Sequence, residues 1–161
     1  MVGLVEEKVR IRKADGKTAD VPIQRLSVVD HKYIKEIIKV DPVANVSLGK
    51  VTKVLKDNTI EFSDIDGAVL SVSLGGVNFK EATSSVSQHL HSTLLGHFCW
   101  IESKDTAGEG LSGVVYVNGT SVNLDLIAKG FAKYDPLSRL DPRFTRAEKF
   151  ANATRLGVWG Q

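Results

Sequence analysis

The chain has one cysteine, one methionine, four prolines and two tryptophans in 161 residues, and no arginine between Arg25 and Arg139. Each shortage excludes something. A lone Cys99 cannot form an internal disulfide and suits a reducing compartment. No apolar run approaches the roughly 18–20 residues that a membrane-spanning helix needs. Glu6 and Glu7 sit where a secretory signal would keep its apolar core, so none is expected and a cytoplasmic location is. The sequons at Asn45, Asn118 and Asn152 then read as chance matches. No glycine-rich loop of the phosphate-binding pattern precedes a helix. Of the eleven aromatic residues most fall at predicted core positions, leaving few rings for stacking on bases.

What is present is an ordinary soluble composition, 42% apolar and 25% charged, long enough for one core and a small appendage. Net charge is +2, unevenly spread. Residues 1–40 carry nine Lys/Arg against six Asp/Glu, whereas 41–161 carry twelve against thirteen. Because Lys and Arg supply most non-specific affinity for nucleic acid, the larger part is a poor generic binder unless its few cations cluster.

Residues 5–13 alternate, with Val9 and Ile11 on one face and Lys8, Arg10 and Arg12 on the other, which predicts a half-buried strand. Asp15-Gly16 predicts a hairpin turn and Thr18 to Ile23 the returning strand, with Pro22 at an edge or end. Ser27 with Asp30 resembles a capping box. A helix bearing Val29, Tyr33, Ile34, Ile37 and Ile38 at helical spacing follows, until Asp41-Pro42 ends it.

The second unit, 42–161, predicts strands at 46–55, 59–63 and 68–77, a helix at 81–95 with Val86, Leu90 and Leu94 inward, and strands at 97–102 and 111–117. Gly96 stops that helix and Asn118-Gly119 makes a tight turn. Five strands with a helix between the third and fourth is the OB-fold order. Ser121 caps a helix over 122–129 that Gly130 stops. A last helix starts at Asp141-Pro142 and is stopped by Gly157, with Phe144, Ala147, Phe150 and Ala151 inward and Trp159 packed back on the barrel. The predicted class is α+β, mainly β: a five-stranded OB barrel with three helices, preceded by a β-hairpin–helix extension at 1–41.

Two resemblances attach to these segments. VRIRKADGKTADVPIQRLSVVDHKYI, with its basic strand, DG turn, VP-x-x-x-LS and D-x-x-Y, resembles the second half of the SHD1 domain of endocytic adaptors. That likeness implies an SH3-like β module and binding of Asn-Pro-Phe-x-Asp peptides; the module's first strands have no counterpart here. LSGVVYVNGTSVNLDLIAKGFAKY followed by FTRAEKFANATRLGVWG resembles the back half of staphylococcal-nuclease-like domains, including the non-cleaving repeats of Tudor staphylococcal-nuclease scaffolds. A start inside one module and an end at GVWGQ lead us to expect a piece of a larger protein.

Nucleases of that family hold calcium with aspartates, activate water with a glutamate and grip phosphate with two arginines. Calcium wants several oxygens, preferably anionic, and guanidinium forks neutralise the charge gathered in the transition state. By the resemblance, the metal-aspartate turn D-G-D-T falls on Lys56-Asp57-Asn58-Thr59, which puts Asn58 at the aspartate. R-x-x-x-x-D-x-P-E falls on Ser73, Asn78, Lys80 and Glu81, and Y-G-R on Ala107-Gly108-Glu109. Both metal carboxylates are then amides and both arginines are lost, one to Glu109. Losing one transition-state donor typically costs about 10²–10³ in rate. Glu81 alone is no enzyme; its plainer role is a carboxylate in the first turn of a helix. We therefore expect no catalysis, no metal and no cofactor.

Other groupings are weaker. His89 and His91 are two apart on a helix and diverge, unlike an i, i+4 metal pair. His97 and Cys99 share a strand face, with Cys99 read as a packed core residue. The binding candidates are Lys8, Arg10 and Arg12; Lys50, Lys53 and Lys56, which alternation divides between two faces; and Arg143, Arg146 and Lys149 on the last helix. A solvated surface is the plainer reading of each. The function expected is a protein- or peptide-interaction scaffold, with RNA binding the alternative and a calcium-dependent nuclease third.

Overall fold

In the computed structural model the described residues are 3–5, 8–12, 15–22, 25–27, 29–30, 45–55, 59–79, 84–103, 111–137 and 139–160. The first of them form a three-stranded antiparallel sheet, β1 (Gly3–Val5), β2 (Lys8–Arg12) and β3 (Thr18–Pro22), in that order. Residues 5–13 are thus not one strand. Val5 lies in β1, which runs antiparallel to β2, and has Lys8 as its register partner. The β2–β3 hairpin turns as predicted at Asp15-Gly16, where Gly16 has φ +81° and Asp15 Oδ1 accepts from Lys17 N at 3.0 Å. Ser27 and Asp30 form the reciprocal capping box: Ser27 N donates to Asp30 Oδ2 (3.0 Å) and Asp30 N to Ser27 Oγ (3.2 Å). Val29, expected on an apolar helix face, is 75% exposed. The rest of that helix lies outside the described residues.

The barrel begins at β4 (Asn45–Val54) and continues through β5 (Thr59–Asp64), β6 (Val69–Leu74), α1 (Ser84–Leu94), β8 (Phe98–Ser103) and β9 (Leu111–Val117), with the short β10 (Thr120–Ser121) paired to β9. Antiparallel pairs β4–β5, β5–β6, β4–β8 and β8–β9, with the parallel pair β6–β9, close the five strands into the OB topology. Inside lie Val51, Ile60, Phe62, Val72, Leu74, Ile101 and Val115, with Val86, Leu90 and Leu94 of α1 at one end as expected. Burying a side chain of this size contributes about 1.5–3 kcal/mol, so this ring is the main source of stability. Gly49 permits the closest strand approach, since a Cβ there would meet Ser63 O and the Phe62 ring.

Three expectations change. Residues 68–77 are not one strand: β6 ends at Leu74, the chain turns through Gly75-Gly76, and β7 (Val77–Asn78) pairs with β11 (Lys133–Tyr134) instead. A bulge at Thr52 shifts the β4–β5 register, so Lys50 faces Ser63 while Lys53 faces Glu61. Those partners are two apart, so Lys50 and Lys53 share the outer face and Val51 stays inward. Uninterrupted alternation cannot foresee that reset. Lastly, α3 (Pro142–Ala153) ends at Thr154 and Arg155, the latter with φ +54°, and not at Gly157. Phe144 and Ala151 are buried and Ala147 partly so, but Phe150 is 58% exposed.

Candidate functional site

Of the positions that resemble the catalytic ones, Ser73 lies where β5, β6 and β9 run side by side. Ser73 of β6 has Thr59 of β5 as register partner on one side and Ser112 of β9 on the other. Val72 and Leu74 point into the core, so alternation turns Ser73 outward. The three half-buried residues form a row of hydroxyls, neutral donors and acceptors with no lasting charge. Beyond the row the chain turns at Gly75-Gly76. Gly76 has φ +76°, and a Cβ there would press into the Phe144 ring at 2.6 Å, so both backbone and space require glycine.

Asn78 follows in β7, half-buried, with Lys133 of β11 as register partner. Lys133 carries its Nζ 4.8 Å from the centre of the Trp159 ring, a cation–π contact that holds the chain end against β11. Asn58, Glu81 and Glu109 lie outside the described residues, as does Lys56. Among the described residues no group of three or more His, Cys, Asp or Glu side chains is placed to hold a metal ion.

One residue that the sequence reading missed organises this end of the barrel. Asn123, fully buried in the first turn of α2 (Val122–Ala128), donates Nδ2 to Gly75 O (2.9 Å) and Gly113 O (3.0 Å). Its Oδ1 accepts from Val115 N at 2.9 Å. One amide thereby ties α2, β9 and the Gly75-Gly76 turn together. The available signal was its spacing, three and four before the buried Leu126 and Ile127, a polar residue on an apolar face.

The start of α3 is fixed just as tightly. Asp141 caps it, accepting from Arg143 N (2.9 Å) and pairing with the Arg143 guanidinium at 2.7 Å. The hydrogen bonds from Arg143 hold the Asp141 carboxyl below the usual carboxylate range, and the Arg143 pKa is raised in return. Tyr134 OH donates to Arg139 O (2.9 Å) and accepts from Asp141 N (3.1 Å), while Glu148 Oε1 accepts from Tyr134 N (2.8 Å). Nearby, Tyr116 OH donates to Glu102 Oε2 at 3.2 Å; burial, then the Glu102 charge, pushes the phenol pKa up.

The order of strands, the helix between third and fourth, and the two C-terminal helices match the nuclease-like layout, and so does the sequence. The family model described as staphylococcal nuclease homologue matches residues 77–161, more than half of the chain. The chain belongs to that family. This staphylococcal nuclease homologue also matches, over residues 1–41, the model described as SLA1 homology domain 1. No curated protein matches the chain. The nuclease-homologue match begins at β7, whereas the barrel has already contributed β4, β5 and β6 before it.

The remaining candidates are dispersed. Lys8, Arg10 and Arg12 occupy alternate positions of β2, with Arg10 opposite Asp20 of β3. Lys53 is bound to Glu61 (3.0 Å), whose pKa that contact lowers, whereas Lys50 has no acidic partner among the described residues. His89 pairs with Asp125 (3.2 Å) and stacks on Phe131, while His91 is exposed. His97 is exposed and lies just ahead of β8, whereas Cys99 is buried within it, so the two do not face one way.

Proposed function

We propose that this staphylococcal nuclease homologue binds without cutting, as an interaction or scaffolding module. The observation that carries the reading is the Thr59–Ser73–Ser112 row: where the family resemblance calls for a phosphate-gripping arginine, the outer surface offers hydroxyls. A hydroxyl can bond a phosphate oxygen but cannot neutralise the charge that builds on it. Asn58 and Asn78, in place of the metal carboxylates, weaken a calcium site in the same direction.

The scaffold role is supported by the pairing of two units in one chain. The SHD1-like segment at 1–41 is the part suited to a protein or peptide partner, by its resemblance to modules that take Asn-Pro-Phe-x-Asp peptides. The test is incubation of the full chain with single-stranded RNA and DNA in calcium. Intact nucleic acid after turnover-scale times is the expected result. Calcium-dependent cutting that Glu81→Gln abolishes would overturn the proposal.

A further inference from the structure

The nuclease-homologue domain is electrically polarised along its sequence. Residues 45–138 hold seven lysines, no arginine and ten acidic residues, whereas 139–160 hold five cations against two acids. Both of those acids are occupied: Asp141 by Arg143 and the helix cap, Glu148 by Tyr134 N. Arg146, Lys149 and Arg155 are exposed and have no acidic partner among the described residues.

These cations are arranged around an aromatic ring. Arg143 and Phe150 lie seven apart on α3, two turns along one line, with Arg146 three beyond the first and four before the second. Lys149 lies three beyond Arg146. Such neighbours stand ~5–6 Å apart at Cβ. Phe150 is 58% exposed within this cationic stripe, while Phe144 and Ala151 turn the opposite side of α3 into the core.

We infer that the outward stripe of α3 is a docking surface for single-stranded nucleic acid, with Phe150 stacking on a base and Arg146 and Lys149 meeting the flanking phosphates. An exposed flat ring one turn from a cation matches what an unpaired nucleotide offers, a base face beside a negative charge. An apolar protein partner would need a row of anchors, and this stripe has one. The hydroxyl row on β5, β6 and β9 plays no part in it, so the surface deepens the non-cleaving reading without depending on the same residues.

The test is anisotropy of a labelled oligouridylate of about twelve nucleotides with the full chain, at about 50 and about 200 mM salt. Phe150→Ala should weaken binding about tenfold, and Phe150→Tyr should retain it, at the affinity scale of base–aromatic stacking. Arg146→Gln with Lys149→Gln should lower the salt slope by about 1.4. Lys17→Gln, in the β2–β3 turn, should change neither, and unchanged circular dichroism confirms the fold of each variant. No binding by the parent chain at the lower salt, equal affinity for Phe150→Ala, or displacement by polyglutamate that ignores Phe150 would each overturn the inference. Cutting of the probe in calcium would instead overturn the non-cleaving reading, and the variants would still report on α3.

Discussion

Asn123 shows how much a single side chain can bear. Removing it takes the Asn123 partner from the Gly75 carbonyl and the Val115 N–H, while Gly113 O keeps its bond from Gly75 N; an unsatisfied buried group costs about 1–3 kcal/mol. Asn123→Ala should therefore lower unfolding stability by about 3 kcal/mol or more, measured in urea, whereas Asn123→Asp should fare no better because it loses the donor. Asp141 makes a pH prediction. Its folded pKa lies below that of the unfolded chain because Arg143 bonds the carboxylate. The resulting stability is fully present above the ordinary carboxylate pKa, about 4, and is lost as pH falls through the depressed folded value. Asp141→Asn keeps a good cap and should flatten this acid limb, at a cost near neutrality of about 0.5–1 kcal/mol in pH-dependent urea melts.

At the scale of elements, strands and caps were legible because local chemistry dictates them. Ser121 accepts from Leu124 N as the cap of α2, and Asp141-Pro142 opens α3 as its sequence predicts. The Ser27–Asp30 box forms from residues three apart. What failed needed partners from elsewhere. The Thr52 bulge exists because β5 keeps Phe62 and Ile60 inward opposite Val51 and Val54, and nothing in β4 alone announces it. Phe150 is apolar and falls at a position that sequence spacing assigns to the core, yet an apolar residue is no proof of burial. Its neighbour Ala151 takes the inward position. Deleting Thr52 removes the extra residue and leaves Val51, Lys53 and Val54 opposite Phe62, Glu61 and Ile60 in plain alternation, with both valines still inward. The deletion variant should therefore keep cooperative thermal unfolding, which far-ultraviolet circular dichroism would follow.

For the whole molecule, the candidate site was legible as chemistry and not as shape. Residue types at 58, 73 and 78 could be read against a resembling motif. That Ser73 stands between Thr59 and Ser112 required the parallel pairing of strands almost forty residues apart. If the domain binds without cutting, calcium has little to hold. Anything that binds the native state alone raises its stability by mass action. Millimolar calcium should then leave the melting temperature unchanged within about 1 °C, and the double substitution Asn58→Asp with Asn78→Asp should introduce a calcium-dependent rise. Differential scanning calorimetry with and without chelator reads both.

That same parallel seam governs how the protein is made. Of the barrel strands β4, β5 and β6 emerge first during synthesis and can pair at once, but the far edge of β6 must wait until residues 111–113 arrive. Through that interval a strand carrying Leu70, Val72 and Leu74 presents an unpaired edge, which is the geometry that recruits neighbouring chains. Distant pairings of this kind are also the slow ones. A ribosome-bound nascent chain stopped short of β9 therefore leaves this edge of the barrel open, and the arrival of residues 111–113 is the moment at which it can close.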